Sequence, residues 1–67
     1  MLRWFEYEHL PFHLQDASKP FSELAKTITE KLREGPEKSV ALRKLLEAKD
    51  AAVRQAIDDH RNFPPPP

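Results

Sequence analysis

The sequence predicts an all-α fold: a two-helix antiparallel hairpin, preceded by an irregular aromatic N-terminal segment and assembling into a homo-oligomer. Three observations carry this. Apolar residues recur at helical spacing in two runs, from Phe21 to Leu32 and from Ala41 to Ile57. A single Gly35-Pro36 pair, holding the only glycine of the chain, separates the runs. The second run is apolar over a wider arc than one neighbouring helix covers.

The first helix is expected over about residues 19–33. Ser18 suits an N-cap and Pro20 the first helical turn, after which Phe21, Leu24, Ala25, Ile28 and Leu32 form one narrow stripe. Gly35 can end this helix or cap the next one. Pro36 fits the following N1 position, and Glu37 favours the positive end of the second helix dipole. That second helix is expected over about 36–60. So short a connection folds the two helices antiparallel, as a single domain over 1–60. The aromatic segment then packs across or beside the hairpin, with Phe12 and Phe21 in the core and Trp4 as a cover. Residues 61–67, ending in NFPPPP, read as a disordered proline-rich tail of polyproline II character. Docking onto a proline-reading domain is the other use of such a tail.

At about 100° per residue, Ala41, Leu42, Leu45, Leu46, Ala48, Ala52, Val53, Ala56 and Ile57 spread over roughly half of the second helix. One narrow stripe leaves part of that arc open, so another subunit is expected to cover it. The alanines of AKDAAVRQA permit close helix approach there. Lys49 falls inside the same arc, where it must snorkel, pair with a carboxylate or meet a ligand anion. Arg43, Lys44, Glu47, Asp50 and Arg54 map mostly to the opposite, solvated face.

Composition narrows the function. A chain of 67 residues buries only about 60% of the surface its unfolded form exposes. It has no cysteine, which excludes disulfides and thiolate metal sites and leaves oligomerisation as the route to extra stability. Eleven Lys and Arg balance eleven Asp and Glu, so no net field holds a long DNA or RNA. A small anion needs only a local basic patch. No apolar run approaches the roughly 18 to 20 residues of a membrane span. Arg3 and Glu6 stand where a signal-peptide core would lie, so a cytoplasmic location is expected.

Catalytic chemistry finds little support. There is no nucleophile beside a base, no carboxylate pair placed for a cleft and no metal constellation, so neither catalysis nor a cofactor is expected. His9 and His13 have i,i+4 spacing, but Pro11 lies between them and no HExxH pattern accompanies them; no metal site is expected. His60, beside Asp58 and Asp59 at a helix end, reads as a surface residue. The N-terminal segment is more informative. RWFEYEHLPFHLQDASK mixes aromatic rings with Arg3, His9, Gln15 and Lys19, groups that stack bases, hydrogen-bond their edges and neutralise phosphates. The same rings also serve as core. Phe5, Tyr7 and His9 alternate, so an extended backbone turns them to one side as a candidate ligand wall.

Two stretches, FEYEHLPFHLQ and GPEKSVALRKLLEAKDAAVR, together with the short hairpin, resemble the phage hairpin-domain family of anti-CBASS and anti-Thoeris nucleotide sponges. The similarity covers about residues 5–57. It implies a small helical protein that assembles into an oligomer, commonly a hexamer, in the cytosol of the host bacterium. Such a protein sequesters cyclic dinucleotides, cyclic trinucleotides or cyclic ADP-ribose isomers without cleaving them. The resemblance further implies a pocket between protomers, using Tyr7 with Lys19 or Lys26, and a second pocket around a threefold axis, using Lys38 with Ser39. After Ala52 this chain reads VRQAI where many members carry an Asn-rich ANAAI segment.

The expected function is therefore a non-catalytic sponge for cyclic nucleotide immune signals that inhibits bacterial anti-phage defence. The alternative is a small helical adaptor or regulatory protein that binds another protein through the second helix. A DNA-binding role is weaker, since the formal charge is zero and neither helix is strongly basic on one face.

Overall fold

The computed structural model describes residues 2–62, and every regular element in them is helical. A 3₁₀ turn over Leu2–Phe5 is followed by helix α1 (Phe12–Lys31) and helix α2 (Pro36–Asn62). The helices pack on each other as a hairpin, and the 3₁₀ turn packs mainly on α1. The molecule is a rod of 47 × 17 × 15 Å, as expected for a 27-residue helix about 40 Å long laid against a shorter one. No helix among the described residues is long and apolar enough to cross a membrane. Helix α2 runs two residues past the expected domain limit; the rest of the expected tail, 63–67, lies outside the described residues.

Helix α1 starts seven residues earlier than the expected residue 19. Pro11 is its N-cap residue, with φ −55° and ψ 152°, and its carbonyl accepts from the amides of Leu14 and Gln15 at 2.9 and 3.0 Å. The cap has no side-chain hydrogen bond of its own. Instead the Gln15 amide nitrogen donates back to the carbonyls of Leu10 (2.7 Å) and Glu8 (3.2 Å), fastening the preceding turn to the first turn of the helix. Pro20 thus sits inside α1, where it lacks the N–H that would bond four residues back.

The inward face of α1 differs from the expected stripe. Leu14, Ser18, Ser22 and Ala25 are its buried residues, while Leu24 and Leu32 are exposed. Phe5, 1% exposed, forms the core with Ala25 and Leu42, and Phe21, Ile28, Leu45 and Leu46 pack around them. Phe21, expected in the core, packs at its margin. Phe12, expected in the core, is 87% exposed, because the first position of α1 lies on the side away from Leu14 and Ser18. Ser18 is fully buried and its hydroxyl has no hydrogen-bond partner. An unpaired buried hydroxyl costs about 1 to 3 kcal/mol, so Ser18→Ala is expected to leave the unfolding midpoint unchanged or raise it. A lower midpoint in a denaturant titration would mean the hydroxyl is paired in solution.

Helix α1 ends without a left-handed residue. Leu32 is the C-cap with φ −108° and ψ 142°, and its amide donates to the Ile28 carbonyl at 3.1 Å. Of the two roles open to Gly35, the fold uses the second: its carbonyl accepts the Ser39 amide at 3.2 Å, and Pro36 begins α2. The carbonyls left at the end of α1 are met by Lys38. Its ammonium donates to the carbonyls of Thr29 (3.1 Å) and Leu32 (2.9 Å) and pairs with Glu34, with the residue 8% exposed. A cation at the negative end of a helix dipole is favourable, and here the next helix supplies it. Removing this donor leaves two carbonyls without it, so Lys38→Met is expected to cost about 1.5 to 3 kcal/mol. Thermal unfolding should show a fall of several degrees; an unchanged midpoint would sink this role.

The broad apolar arc of α2 is largely covered within one chain. Leu42 is buried, and Ala41, Leu45, Leu46, Ala52, Val53 and Ala56 are half-buried beneath α1 and the N-terminal segment. Ala48 and Ile57 remain exposed. Of its three foreseen options Lys49 takes the carboxylate, lying 3.5 Å from Asp50, and it adds a partner that was not foreseen: its ammonium donates to the Trp4 carbonyl at 2.6 Å. It thereby ties the end of the 3₁₀ turn to the middle of α2.

Candidate functional site

The N-terminal segment is not extended. Residues 2–5 form the 3₁₀ turn, the Glu6 amide donates to the Arg3 carbonyl at 3.3 Å, and the Leu10 amide closes a turn on the Tyr7 carbonyl at 3.0 Å. The period of two that would align Phe5, Tyr7 and His9 is therefore absent. Phe5 points into the core and is not a ligand wall in this chain. Tyr7 and His9 line different grooves on either side of the segment.

The first groove lies between the N-terminal segment and α1 and holds about 290 Å³. Arg3, Glu6, Tyr7 and Glu8 line it from one side, and Ser22 and Lys26 from α1. Lys26 reaches it because it is four residues beyond Ser22 on the same face of the helix. Of the two partners the resemblance implies for Tyr7, the structure brings Lys26 into its groove. Lys19 is not among the groove's residues; it is exposed on α1 and lies 4.0 Å from Glu23. Arg3, read in the sequence as one of several polar groups mixed with the aromatic rings, is a lining residue of this groove. Its guanidinium sits over the Trp4 ring, 4.9 Å from the centroid, and it borders both N-terminal grooves. This stacking holds the planar cation at the rim.

The second groove, about 500 Å³, runs between the segment and α2, with Trp4, His9 and Leu10 facing Lys49, Val53 and Arg54. Trp4 is 54% exposed, so it covers the hairpin only in part. A third groove of about 340 Å³ lies at the closed end of the hairpin, where Lys38 and Ser39 meet Thr29, Glu34 and Leu42. There Ser39 is exposed, whereas the Lys38 ammonium is already bonded to the α1 carbonyls.

Among the described residues no group of three or more His, Cys, Asp and Glu is placed to hold a metal ion. The first groove combines an aromatic ring, two cations, a serine and two carboxylates. Such a set can stack a planar ring, attract a phosphate and accept from the N–H donors of a base edge. No family model, curated protein or solved structure matches the chain.

Proposed function

We propose that the chain is a non-catalytic binding protein that sequesters a cyclic nucleotide signal in the Tyr7 groove. The observation that carries this reading is the meeting of Tyr7 with Lys26 and Arg3 in one groove. Tyr7 supplies a face for a base, and Lys26 and Arg3 supply cations for phosphate. Glu6 and Glu8 accept from base N–H groups, which favours a nucleotide over a bare phosphate. The resemblance to phage nucleotide sponges names the ligand class: cyclic dinucleotides, cyclic trinucleotides or cyclic ADP-ribose isomers.

The working form under this reading is a homo-oligomer, with a hexamer as the state the resemblance implies. The core holds few large side chains, while Trp4, Phe12, Leu24 and Leu32 are exposed. A surface of that kind on so small a core favours association between copies. An open groove on one chain then becomes an enclosed pocket when a second copy faces it. The adaptor alternative is less well supported, because α1 and the N-terminal segment occupy the middle of the α2 arc.

The test is direct. The purified protein is incubated with a panel of cyclic di- and trinucleotides and cyclic ADP-ribose isomers, then heated, and the released nucleotide is identified by chromatography. Recovery of intact ligand supports the sponge. Recovery of cleaved product would make the protein an enzyme, and no binding across the panel would return the adaptor to first place.

A further inference from the structure

The imidazoles of His13 and His60 lie face to face at the open end of the hairpin, with ring centroids 3.9 Å apart and planes within 14° of parallel. His13 is the second residue of α1 and His60 the third from last of α2, so the antiparallel packing joins opposite ends of the described chain. From this juxtaposition we propose that His13 and His60 form a two-nitrogen site for a divalent transition ion of the zinc and nickel class, bridging the two helices.

Imidazole nitrogen is a preferred ligand for these ions. Two nitrogens bound at about 2.0 to 2.1 Å with a tetrahedral angle between them stand about 3.3 Å apart. Each ring centroid then lies about 3.2 Å from the ion, so the two rings must part from their 3.9 Å stack to roughly 5 Å, a movement within reach of side-chain rotation. A stack is not yet a chelate, because ring lone pairs lie in the ring planes and these planes are nearly parallel. At least one ring must turn about its side-chain bonds to aim a nitrogen at a shared ion. Both residues are exposed, so that turn meets no core packing.

The remaining coordination positions fall to water, since no third protein ligand joins the pair among the described residues. The site is therefore of the exchangeable kind. Asp16, one turn along α1 from His13, and Asp58 and Asp59, beside His60, supply negative charge near a cation. The Asp59 carboxylate also accepts from the Gln55 amide at 2.9 Å. Neither histidine lines the Tyr7 groove, so this site stands or falls apart from the nucleotide reading.

The experiment is thermal unfolding of the EDTA-stripped full chain at neutral pH, titrated with zinc or nickel chloride, with magnesium chloride as the oxygen-preferring control. A bound ion shifts the folded-to-unfolded ratio about 100-fold at 100 times its dissociation constant. The expected result is a saturable rise in midpoint with zinc and nickel, none with magnesium, and reversal by EDTA. His13→Ala and His60→Ala should each abolish the rise, the double variant no more than either, and His9→Ala should retain it. Isothermal titration should count one ion per chain. The proposal is overturned if wild type shows no rise, if either single variant keeps it, if His9→Ala loses it, or if half an ion binds per chain, which would place the metal between copies.

Discussion

Phe5→Ala is expected to remove most of the folded stability of this chain. The ring is 1% exposed and is the largest side chain so fully buried among the described residues. Phe→Ala in a packed core costs about 3 to 5 kcal/mol. Native stability runs at about 0.05 to 0.15 kcal/mol per residue, which for this length is roughly 3 to 10 kcal/mol. The ring packs on Ala25 of α1 and Leu42 of α2, so its loss opens a void at the centre of the core. Circular dichroism at fixed protein concentration should show a variant that is largely unfolded or melts far below wild type. A variant of near-native stability would mean that subunit contacts, and not this core, hold the fold.

Tyr7→Ala is expected to leave the fold intact and weaken nucleotide binding severely. Stacking on an aromatic ring contributes about 1 to 3 kcal/mol per base. At 1.4 kcal/mol per decade, one lost stack is about a five- to 150-fold loss in affinity. Where two protomers each present Tyr7 to one ligand, the losses compound. Tyr7→Phe keeps the ring and should keep most of the affinity. Lys26→Ala should weaken binding most at low salt, where screening of the phosphate charge is least. Lys19→Ala should change little, because that side chain lies outside the groove and near Glu23. Calorimetry on the nucleotide recovered from the panel checks all four. Wild-type affinity in both Tyr7→Ala and Lys26→Ala would remove the ligand from this groove without touching the sponge reading itself.

The hairpin was legible because its signals are local. Helical periodicity and one Gly-Pro pair are written along the chain, and α2 begins at the expected Pro36. The start of α1 was misread because Ser18 and Pro20 carry start signals that the fold does not use. What sets the true start is Gln15 reaching back to the turn at Glu8 and Leu10, a side-chain contact that propensity does not encode. Periodicity placed Lys49 in the inner arc, yet its acceptor is a backbone carbonyl 45 residues away. In the proposed site, the pairing of Tyr7 with Lys26 was reachable only through the family resemblance, whereas Arg3 was legible from its place among the aromatic rings. The stack of His13 on His60 left no trace in the sequence, where local spacing paired His13 with His9.

The two lysines on the inner side of α2 differ in how far they reach along the chain. Lys38 bonds to carbonyls nine and six residues back, so its clamp closes as soon as the hairpin turn forms. Lys49 holds Trp4 across a separation of 45 residues, and a contact so distant in sequence carries a larger loop-closure cost and forms late. Because Phe5 of the same segment fills the core of the hairpin, the segment and the hairpin hold each other, and release of the one loosens the other. Detachment lifts Phe5 from its seat and separates Tyr7 from Lys26 in one motion. The proposed ligand groove exists only while the segment is docked on α1, so a ligand that bridges the two would select the docked population and stabilise the fold.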